Sequence, residues 1–179
     1  VEDNVTLGGA GTAVNEVMTK YLLKNNLVNI GVPDKMIPHG SQDEILSEFR
    51  SVDALLEGHF LLSSGRHSAY YLQCARLLMN PERAGRIALA LTQKMPRELR
   101  NEIQAVISPA MGGLIIGHEM GRALGVDAMF VERPDGVFGL RRGFTIAPGT
   151  KILMMEDVVT TGLSSREAIA AIEAAGAGE

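Results

Sequence analysis

The sequence predicts an α/β chain built on a mostly parallel sheet with helices on both faces. Three observations carry this. From Ala105 onward, short apolar runs alternate with helical patterns, the order of βαβ units. The runs at 105–107 and 152–155 are apolar at every position rather than at every second one, as strands covered on both faces require. Each run leads into a glycine-bearing turn and then a helical stretch, and ligands of open α/β sheets sit at such strand ends.

The elements follow in chain order. Residues 1–40 lack a clear core pattern, although Val14 to Leu27 can form a helix, and Gly31, Pro33, Pro38 and Gly40 mark a linker. The domain is therefore expected over residues 41–179. Ser41 or Asp43 can cap a helix through Leu56, with Ile45, Leu46, Phe49, Val52, Leu55 and Leu56 on one face. Phe60 to Leu62 and Ala69 to Gln73 are short strands around the polar turn Ser63–Ser68. Pro81 opens a helix running to about Met95. Strand Ala105–Ser108, helix Gly113–Leu124, strand Ala128–Val131, a long loop over 132–149, strand Lys151–Met155 and helix Arg166–Ala175 complete the order. Ser164 or Ser165 is the expected cap of the last helix, and Gly176 its stop.

Composition narrows the function classes. With 179 residues and 46% hydrophobic content, the chain can bury a real core. It has no apolar run long enough for a membrane span and no signal-peptide pattern at its start. A net charge of −4 argues against broad nucleic-acid binding, while Arg133, Arg141 and Arg142 form a local basic patch. The single Cys74 cannot make an internal disulfide, so a cytoplasmic location is expected. Its bland reading as a small buried residue outweighs a nucleophile.

The most informative stretch is Lys151 to Ser165. Glu156 and Asp157 stand at the carboxyl end of an apolar strand, where carboxylates accept hydrogen bonds from sugar hydroxyls or hold a hard cation through water. Thr160, Thr161, Gly162, Ser164 and Ser165 follow. Gly162 allows close backbone approach, and hydroxyls plus helix amides wrap a phosphate at the positive end of the helix dipole. A capped turn beside a solvated acidic pair is the bland alternative; the whole run outweighs it. Val1-Glu2-Asp3-Asn4-Val5-Thr6-Leu7-Gly8 echoes this motif but lacks the preceding strand, so a second phosphate site there is the weaker reading.

Three further segments carry chemistry. Ala110-Met111-Gly112-Gly113 follows a buried strand and opens a helix, so its amides can face an anion; a plain tight turn is the alternative. The 132–149 loop is long for an α/β connection, as mobile covering loops are, and its arginines suit diphosphate because they fork to two oxygens. A solvated basic hairpin is the bland reading. Around Ser63–Ser68, Tyr70 and Tyr71 offer a flat face for a base or are ordinary strand residues. His39, His59, His67 and His118 have no metal-ligand spacing with another His or Cys.

The Glu156–Gly162 run resembles the phosphoribosyl-diphosphate (PRPP) motif of the type I phosphoribosyltransferases, most closely the orotate phosphoribosyltransferase branch. Gly58–Ser68 resembles the orotate-side segment, Ser108–Gly113 the diphosphate loop, and Glu132-Arg133 through Leu140–Phe144 the catalytic loop. All four occur in the family's order. The resemblance implies the type I fold with a small amino-terminal hood, and further strands beyond Glu179. It implies transfer of the phosphoribosyl group from PRPP to orotate in pyrimidine (UMP) biosynthesis, with Mg²⁺ bound mainly through substrate and water. PRPP would be held by Glu156, Asp157, Val158, Val159, Thr160, Thr161, Gly162, Leu163, Ser164 and Arg133. The catalytic residues would be Arg133, Arg141, Arg142 and Asp157, and Thr160, Ser63 and Tyr71 would meet orotate. A homodimer is implied, its arginine loop reaching the neighbouring site. Family members often carry lysine where Gly112 and Ser63 stand here. Two rivals keep the PRPP turn: a purine or uracil phosphoribosyltransferase, and a non-catalytic PRPP-sensing regulator.

Overall fold

The computed structural model describes residues 47, 49–61, 65, 67–159 and 161–176. The expectations for residues 1–46, including the early helix, the motif echo, His39 and the Ser41 or Asp43 cap, lie outside the described residues. Positions 47 and 49–51 are helical. The predicted helix through Leu56 ends sooner. The Asp53 amide donates to Arg50 O at 3.0 Å and the Ala54 amide to Phe49 O at 2.8 Å, with Asp53 at φ +50°, a left-handed residue of the kind that closes helices. Leu55 and Leu56 instead open strand β1 (Leu55–Leu61).

β1 pairs antiparallel with β2 (His67–Leu72), from Leu55↔Leu72 to Leu61↔His67. This hairpin is the expected hood. Three helices follow: α1 (Cys74–Leu78), α2 (Pro81–Lys94) and α3 (Arg97–Glu102). Asn80 Oδ1 caps α2 by accepting from the Arg83 amide at 2.9 Å, with Pro81 pre-shaped for the first turn. α1 and α3 are too short for helical periodicity to show in the sequence.

The main sheet contains β3 (Ala105–Pro109), β4 (Asp127–Glu132), β5 (Gly139–Leu140) and β6 (Ile152–Met154), in the order β5-β4-β3-β6. β3 runs parallel to both β4 and β6, and β5 is antiparallel to β4. Every residue of β3 is buried. Because successive side chains face opposite ways, Val106 packs with Ile116 and Met120 under α2 and α4 (Leu114–Leu124). Ile107 packs with Val131, Phe138, Ile146, Ala168 and Ile172 under α5 (Leu163–Ala174). β6 is only half-buried, at the edge of the described sheet.

α5 begins at Leu163, not Arg166. Gly162, at φ +71°, occupies the cap position without any side-chain cap bond, so Ser164 and Ser165 lie inside the first turn rather than before it. The predicted stop holds: Gly176 is at φ +112°.

Candidate active site

The site forms at the carboxyl ends of β3, β4 and β6. β3 continues through α4 to β4 on one side, while β6 pairs on its other side; ligands of α/β sheets bind where connections diverge in this way. The Met155 amide donates to Ile107 O at 2.9 Å and the Ala110 amide to Val131 O at 2.8 Å. These bonds set the Ala110-Met111-Gly112-Gly113 loop beside Glu156 and Asp157. A Cβ on Gly112 would lie 2.5 Å from Asp157 Oδ1 and 2.8 Å from Oδ2. The Asp157 carboxyl group thus fills the space that a side chain at 112 would need. A Cβ on Gly113 would meet Met155 O and Pro109 O, each at 3.0 Å. Close approach, not backbone conformation, demands glycine at both positions. The Ala110–Met111 peptide is cis, and Met111 is exposed.

Beneath the acidic pair, the buried Cys74 thiol donates to Asp157 O at 3.6 Å. Burial pushes the thiol up to about 11, consistent with a structural rather than a nucleophilic cysteine. Glu156 is lifted to about 7 by burial first and by the Asp157 charge second; the Arg133 charge and a hydrogen bond from Ser165 oppose the rise. Glu156 Oε2 is buried and has no hydrogen-bond partner among the described residues.

The phosphate turn continues through half-buried Val158 and Val159; Thr160 lies outside the described residues. Thr161 Oγ1 accepts from the Leu163 amide at 3.4 Å, and Thr161 O accepts from Arg166 Nη1 at 3.2 Å. Gly162 is buried, Leu163 exposed and Ser164 half-buried. The first turn of α5 carries no acidic side chain, so its amides and dipole are unopposed toward an anion.

The loop after β4 is a hairpin through β5. Arg133 Nη1 bonds Glu167 Oε2 at 2.9 Å, and its guanidinium lies 4.6 Å from the Phe138 ring centre. Arg142 forks onto Glu132 at 2.8 and 3.0 Å, and Arg141 lies 4.0 Å from the same carboxylate. The Arg142 hydrogen bond, aided by the charges of Arg142 and Arg141, holds Glu132 below its ordinary carboxyl value. Arg133 is the arginine whose charge reaches Glu156; Arg141 and Arg142 gather at Glu132.

On the hood, Tyr71 is exposed and its ring lies 5.6 Å from that of Phe60. Ser63 lies outside the described residues. His59 Nε2 and His67 Nδ1 come within 2.7 Å, a pairing their sequence spacing does not suggest. Sequence reasoning also missed Glu167 and Glu132 as arginine partners. Only Glu132 had a signal, its place beside Arg133. Among the described residues no three His, Cys, Asp or Glu side chains cluster as a metal cage, and no helix is long and apolar enough to cross a membrane. A groove of about 360 Å³ between α4 and β4, lined by Leu114, Ile115, His118 and Phe130 among others, touches the predicted phosphate site only at Ser108, the first residue of the diphosphate loop.

No protein-family model matches the chain. It is similar to the orotate phosphoribosyltransferase of Erythrobacter litoralis, 74% identical over 136 residues covering 76% of this chain and 70% of the relative. It is also similar to the orotate phosphoribosyltransferase of Novosphingobium aromaticivorans, 76% identical over 135 residues covering 75% of this chain and 70% of the relative. The crystal structure of orotate phosphoribosyltransferase from Aeropyrum pernix superposes with a TM-score of 0.62 at 26% identity, covering 74% of this chain and 75% of that one.

Proposed function

The chain belongs to the orotate phosphoribosyltransferase family, and from that membership we propose how its residues carry out phosphoribosyl transfer. The reaction moves the phosphoribosyl group of PRPP to orotate, giving orotidine 5′-monophosphate and diphosphate in pyrimidine biosynthesis. Breaking the anomeric bond leaves an oxocarbenium-like sugar and a departing diphosphate, so positioning and charge stabilisation are the tasks. The observation that carries the assignment is the contact of Gly112 with Asp157, which supports one continuous floor for diphosphate and ribose.

On this reading the Ala110–Gly113 loop offers its Met111 and Gly112 amides to the diphosphate, since those of Ala110 and Gly113 are held by Val131 O and Pro109 O, and Glu156 and Asp157 accept from ribose hydroxyls. Thr160, Thr161, Gly162, Leu163 and Ser164, with Val158 and Val159 as the turn's entry, cradle the 5′-phosphate. Ser63, Tyr71 and Thr160 meet orotate. Arg133, Arg141 and Arg142 leave their carboxylate partners to cover the diphosphate. Glu156 and Asp157 would help hold a Mg²⁺ ion that arrives with PRPP, and that ion would supply charge neutralisation for the leaving diphosphate. The enzyme works as a cytoplasmic homodimer whose arginine hairpin reaches the neighbouring site; a long hairpin with an exposed tip at Val137 supports this.

The test follows orotate absorbance with PRPP and Mg²⁺. Turnover of orotate is expected; turnover of uracil or hypoxanthine instead would sink the base assignment. Mixing Arg133→Ala and Asp157→Asn chains, each impaired alone, tests the shared site, since activity above that of either variant requires each mixed dimer to rebuild one intact site. No recovery on mixing removes it.

A further inference from the structure

We infer that Arg166 is a positioning residue: by holding the carbonyl oxygen of Thr161, it turns the Gly162 amide toward the 5′-phosphate that PRPP and orotidine 5′-monophosphate share. The inference rests on the assignment of the Thr160–Ser164 turn to that phosphate. Arg166 Nη1 donates to Thr161 O at 3.2 Å. Thr161 O and the Gly162 N–H belong to one peptide unit. That unit is trans, the Ala110–Met111 bond being the only cis peptide among the described residues. In a planar trans unit the two groups point in opposite directions. Tying the oxygen to α5 therefore fixes the plane and sends the N–H to the other side. Gly162 is buried, and its amide has no hydrogen-bond partner among the described residues. The next amide, that of Leu163, is already taken by Thr161 Oγ1 at 3.4 Å.

The direction of this one peptide decides whether the turn attracts or repels an anion. Successive N–H groups facing inward make an anion cradle; a carbonyl oxygen in the same place would oppose a phosphate. Arg166 is otherwise out of keeping with its position. It is the fourth residue of α5, at the end of a helix where the dipole disfavours a cation. Among the described residues it makes no ion pair, whereas Arg133 and Arg142 each rest on a carboxylate. A residue that breaks a local helix preference without a stabilising partner points to a task beyond folding. Fixing the amide before substrate arrives removes a reorganisation that binding would otherwise have to drive.

The experiment titrates orotidine 5′-monophosphate and, separately, inorganic diphosphate into the full chain and its Arg166→Ala and Leu163→Asp variants. Loss of one hydrogen bond from a charged donor should weaken the monophosphate roughly tenfold in Arg166→Ala and leave diphosphate unchanged. KM for PRPP should rise in step, with kcat much less affected, because the 5′-phosphate is held alike before and during the chemical step. The loss should persist as salt rises. A loss that vanishes at high salt shows charge attraction alone and overturns the positioning role. Equal weakening of both ligands with a lowered melting temperature shows a structural arginine and overturns it as well. Leu163→Asp puts a carboxylate at the start of α5, where the helix dipole favours it, and should weaken the monophosphate far more than diphosphate. Unchanged monophosphate affinity in Leu163→Asp overturns the phosphate assignment of the turn and this inference with it. Weakening in Leu163→Asp but not in Arg166→Ala overturns the positioning role alone. Arg166→Met, which keeps the apolar stem, carries the same measurements if the alanine variant does not fold.

Discussion

The turn after β3 and the hairpin after β4 leave the same edge of one sheet, yet they are held by different forces. The first is fixed by steric fit. β3 is buried along its whole length, Gly113 is wedged between two backbone carbonyls, and Gly112 lies against the Asp157 carboxyl group. A close-packed interior offers such a turn no second position. The hairpin is anchored through buried Phe138 and Ile146, but residues 133–137 are exposed. Its arginines are tied to Glu167 and Glu132 by exposed ion pairs, which contribute little in water. Amides that must meet an anion in one geometry are set by packing. Charges that must be re-aimed when substrate arrives are set by bonds that exchange cheaply.

Adding one methyl to the first turn breaks the comparison most severely, and the two glycines should fail differently. In Gly113→Ala the new Cβ meets backbone oxygens that cannot yield, so stability should fall by about 1–3 kcal/mol, the usual cost of overpacking, measured by urea unfolding. In Gly112→Ala the obstacle is the end of the Asp157 side chain, which can swing away. The fold should survive while kcat/KM for PRPP drops roughly a hundredfold, the scale expected when a reacting group is misplaced by about 1 Å. Full activity in Gly112→Ala would mean that the position of Asp157 does not matter.

The hairpin should show the reverse pattern. Arg133→Ala should leave the melting temperature near that of the parent and lower kcat/KM for PRPP about tenfold to a hundredfold, the range for losing a hydrogen bond to a charged group. Asp135→Ala, at an exposed position on the same hairpin, is the control and should change neither. Equal, small effects of both variants would remove the hairpin from catalysis.

What could be read from sequence follows the same division. The strands at 105–109 and 152–154, the glycine turn between β3 and α4 and the acidic pair were all legible, because burial on both faces and close backbone approach restrict residue type. The end of the first helix was not: Leu55 and Leu56 fit its apolar face, and only the backbone bonds at Asp53 and Ala54 turn the chain into β1. Ser165 was misread as a cap because serine before a helix has that meaning locally, whereas α5 has already begun at Leu163 and Ser165 is buried within its first turn. The pairing of Arg133 with Glu167 crosses from the hairpin to α5, and no local pattern announces it.

Glu156 sharpens the comparison from the stability side, since a charge kept in the packed floor should carry a measurable cost. Its carboxyl is lifted from an ordinary 4.5 to about 7 in the folded chain. Between those values the folded protein holds a proton that the unfolded chain has released. Stability from this group therefore rises as pH falls from 7 toward 4.5, and the penalty is fully present above 7. Glu156→Gln should melt above the parent at pH 8, and the two should converge near pH 5. Equal melting at both pH values would show that the floor does not store this charge.

The smallest effect is expected at Glu132, which holds two of the three hairpin arginines. Its bonds to Arg142 are short and forked, but Arg142 is exposed, so Glu132→Gln should leave the melting temperature almost unchanged. Activity is the more telling readout. If Glu132 competes with diphosphate for Arg142, removing its charge should lower KM for PRPP by a few-fold at low salt. That gain should fade as ionic strength rises, because screening weakens the competing pair in the parent as well. A rise in KM would reverse the assignment: Glu132 would then be aiming Arg142 at the substrate rather than withholding it, and the hairpin would be pre-set like the floor.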